Sequence, residues 1–433
     1  MLEFYTAFTK EIDDPEEAAK EVLEQLNPTE NMLENTFGLI FFHYDFAEDD
    51  ILLKFAELMP FELAGCVSNY TGVSGGMYGN FAVSVTMITG DDVSFAAEAF
   101  DGIDVKTKEQ IDGELTEHYE KLRKNEKPKF IMTFLTAHGH YTLNNVRLAV
   151  DLTESPTLCY GMHAFNIDGV PDTNYTFGNG RLSVTGCVLI AFYGNVAPEF
   201  HSNNDYYEVF LKSYTEEAVI TDCDEAVIKT IDGAPALDFL RSKGVISDAH
   251  LNCTAGIASI PVVLTYPHGG KAPCMFLGVV EGTKYIQTAR DLEKGAKVSF
   301  FLMDAEAAIT NICNILKAAA KNNGNNFIIF CSAAQAWAIS ANNLAELQEI
   351  DRHAREYEEN TGTPLKYAVA YSGGELCPIA SDSHKQIEEF ENGGMTNMVH
   401  NFSLALCAFN YSRSDAPPLA AIKTDEYKRS RGM

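Results

Sequence analysis

Three groups of residues in the C-terminal half have the types and spacing to do chemistry. Cys331-Ser332 closes the apolar run Phe327 to Phe330 and sets a thiol and a hydroxyl where a buried strand would end. Strand ends are where sites collect in α/β proteins. Ser372-Gly373-Gly374-Glu375 follows a second apolar run, Tyr367 to Tyr371; bare glycine backbone admits a ligand closely, and the Glu375 carboxylate could hold a ligand ammonium. Asn397, His400 and Asn401 lead into a third run, Phe402 to Phe409, and add an imidazole and two amides. In the first half, Gly65-Cys66 in the run Leu63 to Val67 offers an equivalent opening. The expected ligand-binding set is therefore Cys331, Ser332, Gly373, Gly374, Glu375, Asn397, His400 and Asn401, with Gly65 and Cys66. No catalytic and no metal-binding residue is assigned.

Each of these has a plainer counterpart: a buried inert thiol, a tight turn with a solvated acid, a hydrogen bond at a strand end. A second chemistry is a cysteine-dependent hydrolase, in which Cys331 would be the nucleophile, His400 its base and Asn401 the orienting amide. No local signature of such an enzyme surrounds Cys331. His138 and His140 would share one side of a strand, yet no third metal ligand follows at a recognisable interval. No Cys-x-x-Cys-His attachment site is present, so the cofactor expectation is none, with noncovalent haem on a single histidine as the alternative. The glycines at 72, 75, 76 and 79 lack both the Lys-Ser/Thr ending of a phosphate loop and a dinucleotide fingerprint. Trp337 is the only tryptophan, a core plug or an aromatic pocket wall.

The chain that must position these groups has 433 residues, 46% of them apolar, enough for two domains and a large core. Its 61 acidic and 32 basic side chains give a formal charge of −29, which repels a phosphate backbone or an anionic membrane surface. Neither nucleic acid nor membrane is an expected partner. Ten cysteines without a CxxC or repeated spacing read as reduced, buried thiols. The start, Met1-Leu2-Glu3-Phe4-Tyr5, lacks the pattern of a signal peptide, and no apolar run approaches the roughly 18 residues of a membrane span. A cytoplasmic location is expected.

Asp14-Pro15-Glu16-Glu17 signals a helix start, with the helix running to about Asn27. Strands are expected at 37–42, 63–67 and 81–89. Gly90-Asp91-Asp92 then carries the turn chemistry to reverse 81–89 into a hairpin with 93–99. A charged helix over 106–124 precedes strands at 129–135, 157–165 and 182–192. Set beside Phe327 to Phe409, this makes three copies of one plan: strand, polar tip, helix, strand, Gly-rich break, strand. The fold class is α/β, with mixed, partly antiparallel sheets covered by helices. The division expected is an N-terminal helix in 1–29, domains over 30–240 and 241–413 meeting near 235–250, and a loose tail, 414–433.

In its motifs the chain resembles the FIST family, a two-part sensory module of bacterial signalling proteins. Phe330-Cys331-Ser332 is similar to the family's strand ending in Phe-Ser-Cys, Ser372 to Glu375 to its Gly-Glu signature, and Asn397 through Asn401 to its late Asn and His-Asn pattern. Leu63 to Cys66 resembles its Val-Gly-Cys strand end, and Asp232 to Asp238 the segment joining the two parts. One departure stands out: where family members often carry an arginine three residues after that cysteine, this chain has Ala334. An arginine there would bind a ligand carboxylate at two points. The resemblance implies a non-catalytic sensor of a small metabolite such as an amino acid, or a haem protein responding to nitric oxide. It also implies a separate signalling partner, such as a kinase or a receptor.

Overall fold

The computed structural model describes residues 2–411 except 48–50, 137–140, 152, 154–156, 167–171, 204–206, 252–255, 268–270, 291, 322–324, 340–344 and 381–394. The tail from 414 on, and with it His138 and His140, fall outside the described residues. The fold is α/β, built of mixed and antiparallel sheets with helices on their outer faces.

Three six-stranded sheets repeat one plan. In each, a first strand pairs in parallel with a second across a helical connection: Asn35–Phe42 with Glu62–Val67, Phe130–Thr136 with Cys159–Ala164, and Asn326–Ser332 with Lys366–Ser372. An antiparallel return strand lies on the other side of the first: Val83–Gly90, Cys187–Gly194 and Leu404–Tyr411. An outer strand closes that edge: Leu2–Thr9, Val93–Phe100 and Val196–Ser202.

The other edge is exchanged. The hairpin of each copy leaves its own sheet and completes the next: Tyr70–Val73 joins Lys366–Ser372, Thr176–Gly178 joins Glu62–Val67, and Glu375–Ala380 joins Cys159–Ala164. The three sheets therefore form a closed ring of mutual dependence. At its centre the corresponding residues Phe41, Phe134 and Phe330 meet edge to face, with centroids 5.7, 5.9 and 6.1 Å apart. Such pairs add about 0.5–1.5 kcal/mol each beyond burial.

Outer faces are covered by two helices per sheet. Pro15–Leu26 begins where Asp14 Oδ1 accepts the Glu16 and Glu17 amides at 3.0 and 3.1 Å, and it buries Ala18, Val22 and Leu26 beside Ile51 and Phe55. Lys108–Arg123 and Leu143–Asp151 cover the second sheet, Ala305–Lys321 and Ala345–Thr361 the third. Between Val196–Ser202 and Ala305–Lys321 the chain detours through a nine-stranded sheet with its own core, which includes Ile220, Ile231, Val262, Phe276 and Val298. Residues 235–250 lie inside this unit: the Asp232-Gly233 turn, with φ of 49° and 79°, folds Ala234 back on Ile231, and the helix Ala236–Ser242 follows.

Two sequence expectations are corrected. Residues 2–9 form a strand that buries Leu2, Phe4, Ala7 and Thr9, a pattern too irregular to read as strict alternation. The 83–90 and 93–100 strands do not make a hairpin. Both edges of Val83–Gly90 are taken, by Leu2–Thr9 and Asn35–Phe42, so the Gly90-Asp91-Asp92 turn hands the chain to the second sheet.

Candidate functional site

The site is built where the third sheet ends. Ser332 is the last residue of its strand, with Ser372 beside it in the parallel register, and its amide bonds the Ser403 carbonyl at 2.8 Å on the other side. Three serines thus form one cross-strand row, and laterally paired side chains project from the same face. The Ser372 and Ser403 hydroxyls donate to the two carboxylate oxygens of Glu375, which therefore bridges the row above Ser332. Ser332 Oγ, in a residue 1% exposed, has no hydrogen-bond partner among the described residues.

Glycine is required at the next step. Gly374 has φ of 151°, and a Cβ there would stand 3.1 Å from Asn401 Nδ2; a Cβ on Gly373 would stand 3.1 Å from Phe165. His163 holds both glycines by its backbone: its carbonyl accepts the Gly373 amide at 3.3 Å and its amide donates to the Gly374 carbonyl at 3.0 Å. Its Nε2 accepts the Leu143 amide at 3.1 Å, and burial pulls the imidazole down to about 4, so it is neutral. Ser68 ties the first half to this end, since its Oγ accepts the Tyr371 amide at 2.8 Å.

Burial raises Glu375 to about 8 against the opposing bonds from Ser372 and Ser403, and Glu346 adds a small upward push. On the helix-covered side of the same sheet, Glu346 accepts Gln335 Nε2 at 3.0 Å and the Tyr371 hydroxyl at 2.7 Å, and burial raises it to about 7. Gln335 Oε1 in turn accepts Asn203 Nδ2 at 2.9 Å, and Asn203 Oδ1 the Leu404 amide at 2.7 Å. Glu346, Ser403, His163 and Asn203 were not singled out from the sequence. Glu346 reads there as a solvated acid in the first turn of a helix, and the others carry no pattern.

Of the expected set, Ser332, Gly373, Gly374, Glu375 and Asn401 come together. Cys331 lies one residue before the row, so its thiol points to the opposite face, into the cluster of Ile312, Leu347 and Tyr371. Burial, with Glu346 and Glu375 adding to it, pushes that thiol well above its ordinary range. His400 pairs with Glu375 across the hairpin, but its Nδ1 meets Ser202 Oγ at 3.2 Å and its Nε2 the Cys377 carbonyl at 3.0 Å. The Cys331–His400 dyad of a hydrolase is not formed.

Asn397 lies elsewhere: it accepts the Cys159 amide at 2.7 Å and donates to Asp151 and the Thr157 carbonyl, both at 2.9 Å. Gly65 and Cys66 sit inside the first sheet, opposite Ile40 and Phe41. Trp337 packs edge-on to Phe165 at 6.1 Å and joins Ala334 and Phe402 against Ala258, Met275 and Ala289 of the nine-stranded unit. Ala334 is 1% exposed, so the arginine of the family pattern would have no room here.

The nine cysteines among the described residues are free, and no group of three or more His, Cys, Asp or Glu there could hold a metal ion. No helix among them is long and apolar enough to cross a membrane. The first two copies of the repeat and the start of the nine-stranded unit decide what the chain is similar to. Residues 36–234 match the FIST N domain. The FIST domain family is a sensory one, and the match points to signal transduction. It ends before Ser332 and Glu375, so the C-terminal FIST module rests on the motifs alone. A search of curated proteins found no similar chain.

Proposed function

We propose that the protein binds a small metabolite, such as an amino acid, at the end of the third sheet and reports it to a separate signalling protein such as a kinase or receptor, without catalysis of its own. The observation that carries this reading is the Glu375 carboxyl held over a row of three serines, one of which has an unbonded hydroxyl. A buried carboxyl without a basic partner is costly. Carboxyls shifted this far by burial cluster at binding and catalytic sites. The glycine pair beside it packs closely against Phe165 and Asn401 and fixes the turn that carries Glu375, and the matched sensory domain agrees with the reading.

The hydrolase reading loses its support because a nucleophile needs an activated thiol with a base in reach. Cys331 has neither. A thermal-shift screen of the whole chain against amino acids, small acids, amines and haem tests the proposal. A ligand of the folded state present at about 100 times its Kd adds roughly 2.7 kcal/mol of stability. If none of these classes raises the melting temperature, the proposal fails.

A further inference from the structure

An open hollow, apart from the Glu375 cluster, runs along one face of the Ala305–Lys321 helix. It offers about 290 Å³ open to solvent, roughly ten water volumes. Val209 lines it on one side, Ala307 and Asn314 on the helix side, and Asp304 and Glu306, both exposed, also line it. Asn311 is the one buried residue among those lining it. It is 1% exposed, and among the described residues both Oδ1 and Nδ2 lack a hydrogen-bond partner. Each unbonded half of a buried amide carries its full desolvation cost, so the residue is poorly explained by packing alone.

The lining defines a complement. An amide sets an acceptor beside a donor, and the group that answers both is another amide, bonded at two points. The two carboxylates answer a cation. Asp304 Oδ1 already accepts the Ala307 amide at 3.0 Å, which offsets the positive end of the helix. The Lys212 ammonium near this wall is engaged with the Val209 carbonyl at 2.9 Å. The chain's formal charge of −29 also concentrates cations at its surface.

We infer that this hollow is a second ligand site, which takes a small ammonium compound bearing a carboxamide or peptide group. The amide pairs with Asn311 and the ammonium lies beside Glu306. An amino-acid amide or the amino end of a peptide has this chemistry, whereas a free amino acid brings a carboxylate that Asp304 and Glu306 repel.

The test is calorimetric titration of the full chain with glycinamide, beside acetamide, ethylammonium and glycine. Glycinamide is expected to bind at least about tenfold more tightly than the other three, and Glu306→Gln and Asn311→Asp each to weaken it by about tenfold or more. No binding of glycinamide, or binding by either variant as tight as by the wild type, overturns the inference. Should Asn311→Asp fail to fold, the Asn311 side-chain amide resonances of the wild type decide: they move on saturation with glycinamide, and unmoved resonances are equally fatal.

Discussion

Glu375 and Glu346 are buried acids that burial raises to about 8 and about 7. Above the ordinary carboxylate range the folded protein keeps protons that the unfolded chain has released, so stability falls as pH rises. The contribution is complete below the ordinary value of 4.5 and is lost as pH climbs through 7 and 8. Thermal melts between about pH 5 and about pH 9 are expected to show this decline in the wild type and a flatter profile in Glu375→Gln, whose amide cannot ionise. Parallel profiles would show that Glu375 titrates normally. The Ser372 to Glu375 stretch was legible as a break after an apolar run, because a glycine pair ends a strand; that its acid is buried rather than solvated was not. Asn397 misled because it lies three positions before His400, and on a strand an odd spacing puts side chains on opposite faces. Glu346 was invisible, since burial is decided by what packs on the helix and not by the helix's own pattern.

At the scale of elements, local signals held wherever one segment decides its own structure. Asp14 caps its helix, Asp232-Gly233 turns the chain, and the apolar runs are strands. Pairing is another matter, because an edge must be free to accept a partner; Gly90 to Asp92 has hairpin chemistry but no free edge to return to. Close approach between strands is likewise unreadable from one sequence. A Cβ on Gly65 would stand 1.7 Å from the Ile40 carbonyl oxygen, and one on Gly161 2.1 Å from that of Thr133. These glycines occupy the same row in the first and second sheets, opposite Ile40 and Thr133. Gly65→Ala and Gly161→Ala should each cost about 3 kcal/mol or more in urea unfolding. Gly113, inside Lys108–Arg123 with open space around it, should gain roughly 0.5–1 kcal/mol on replacement by alanine. Equal effects at all three positions would contradict the register described here.

For the whole molecule, the three-copy plan was readable as an order of elements, yet the exchange of hairpins was not, because it joins residues some 110 to 300 positions apart. Tyr70–Val73 is paired with Lys366–Ser372, and Glu375–Ala380 with Cys159–Ala164. The span 36–234 matched by the FIST N domain therefore lacks both Lys366–Ser372 and Glu375–Ala380, and also Leu2–Thr9. Expressed alone, this span should melt without a cooperative transition. A sharp melt like that of the full chain would mean that the exchanged strands are dispensable. The same exchange places the Glu375 hairpin on the second sheet and the serine row on the third. A guest between them would touch both sheets, which is a direct route from binding to a change of shape.

The central claim is that the Glu375 carboxyl over the serine row holds the ligand. Calorimetric titration of the best stabilising compound into wild type and Glu375→Gln tests it most directly. The expected result is a loss of about tenfold or more in affinity, about 1.4 kcal/mol, with the variant still folded. An unchanged Kd would move the ligand away from Glu375 and contradict the account.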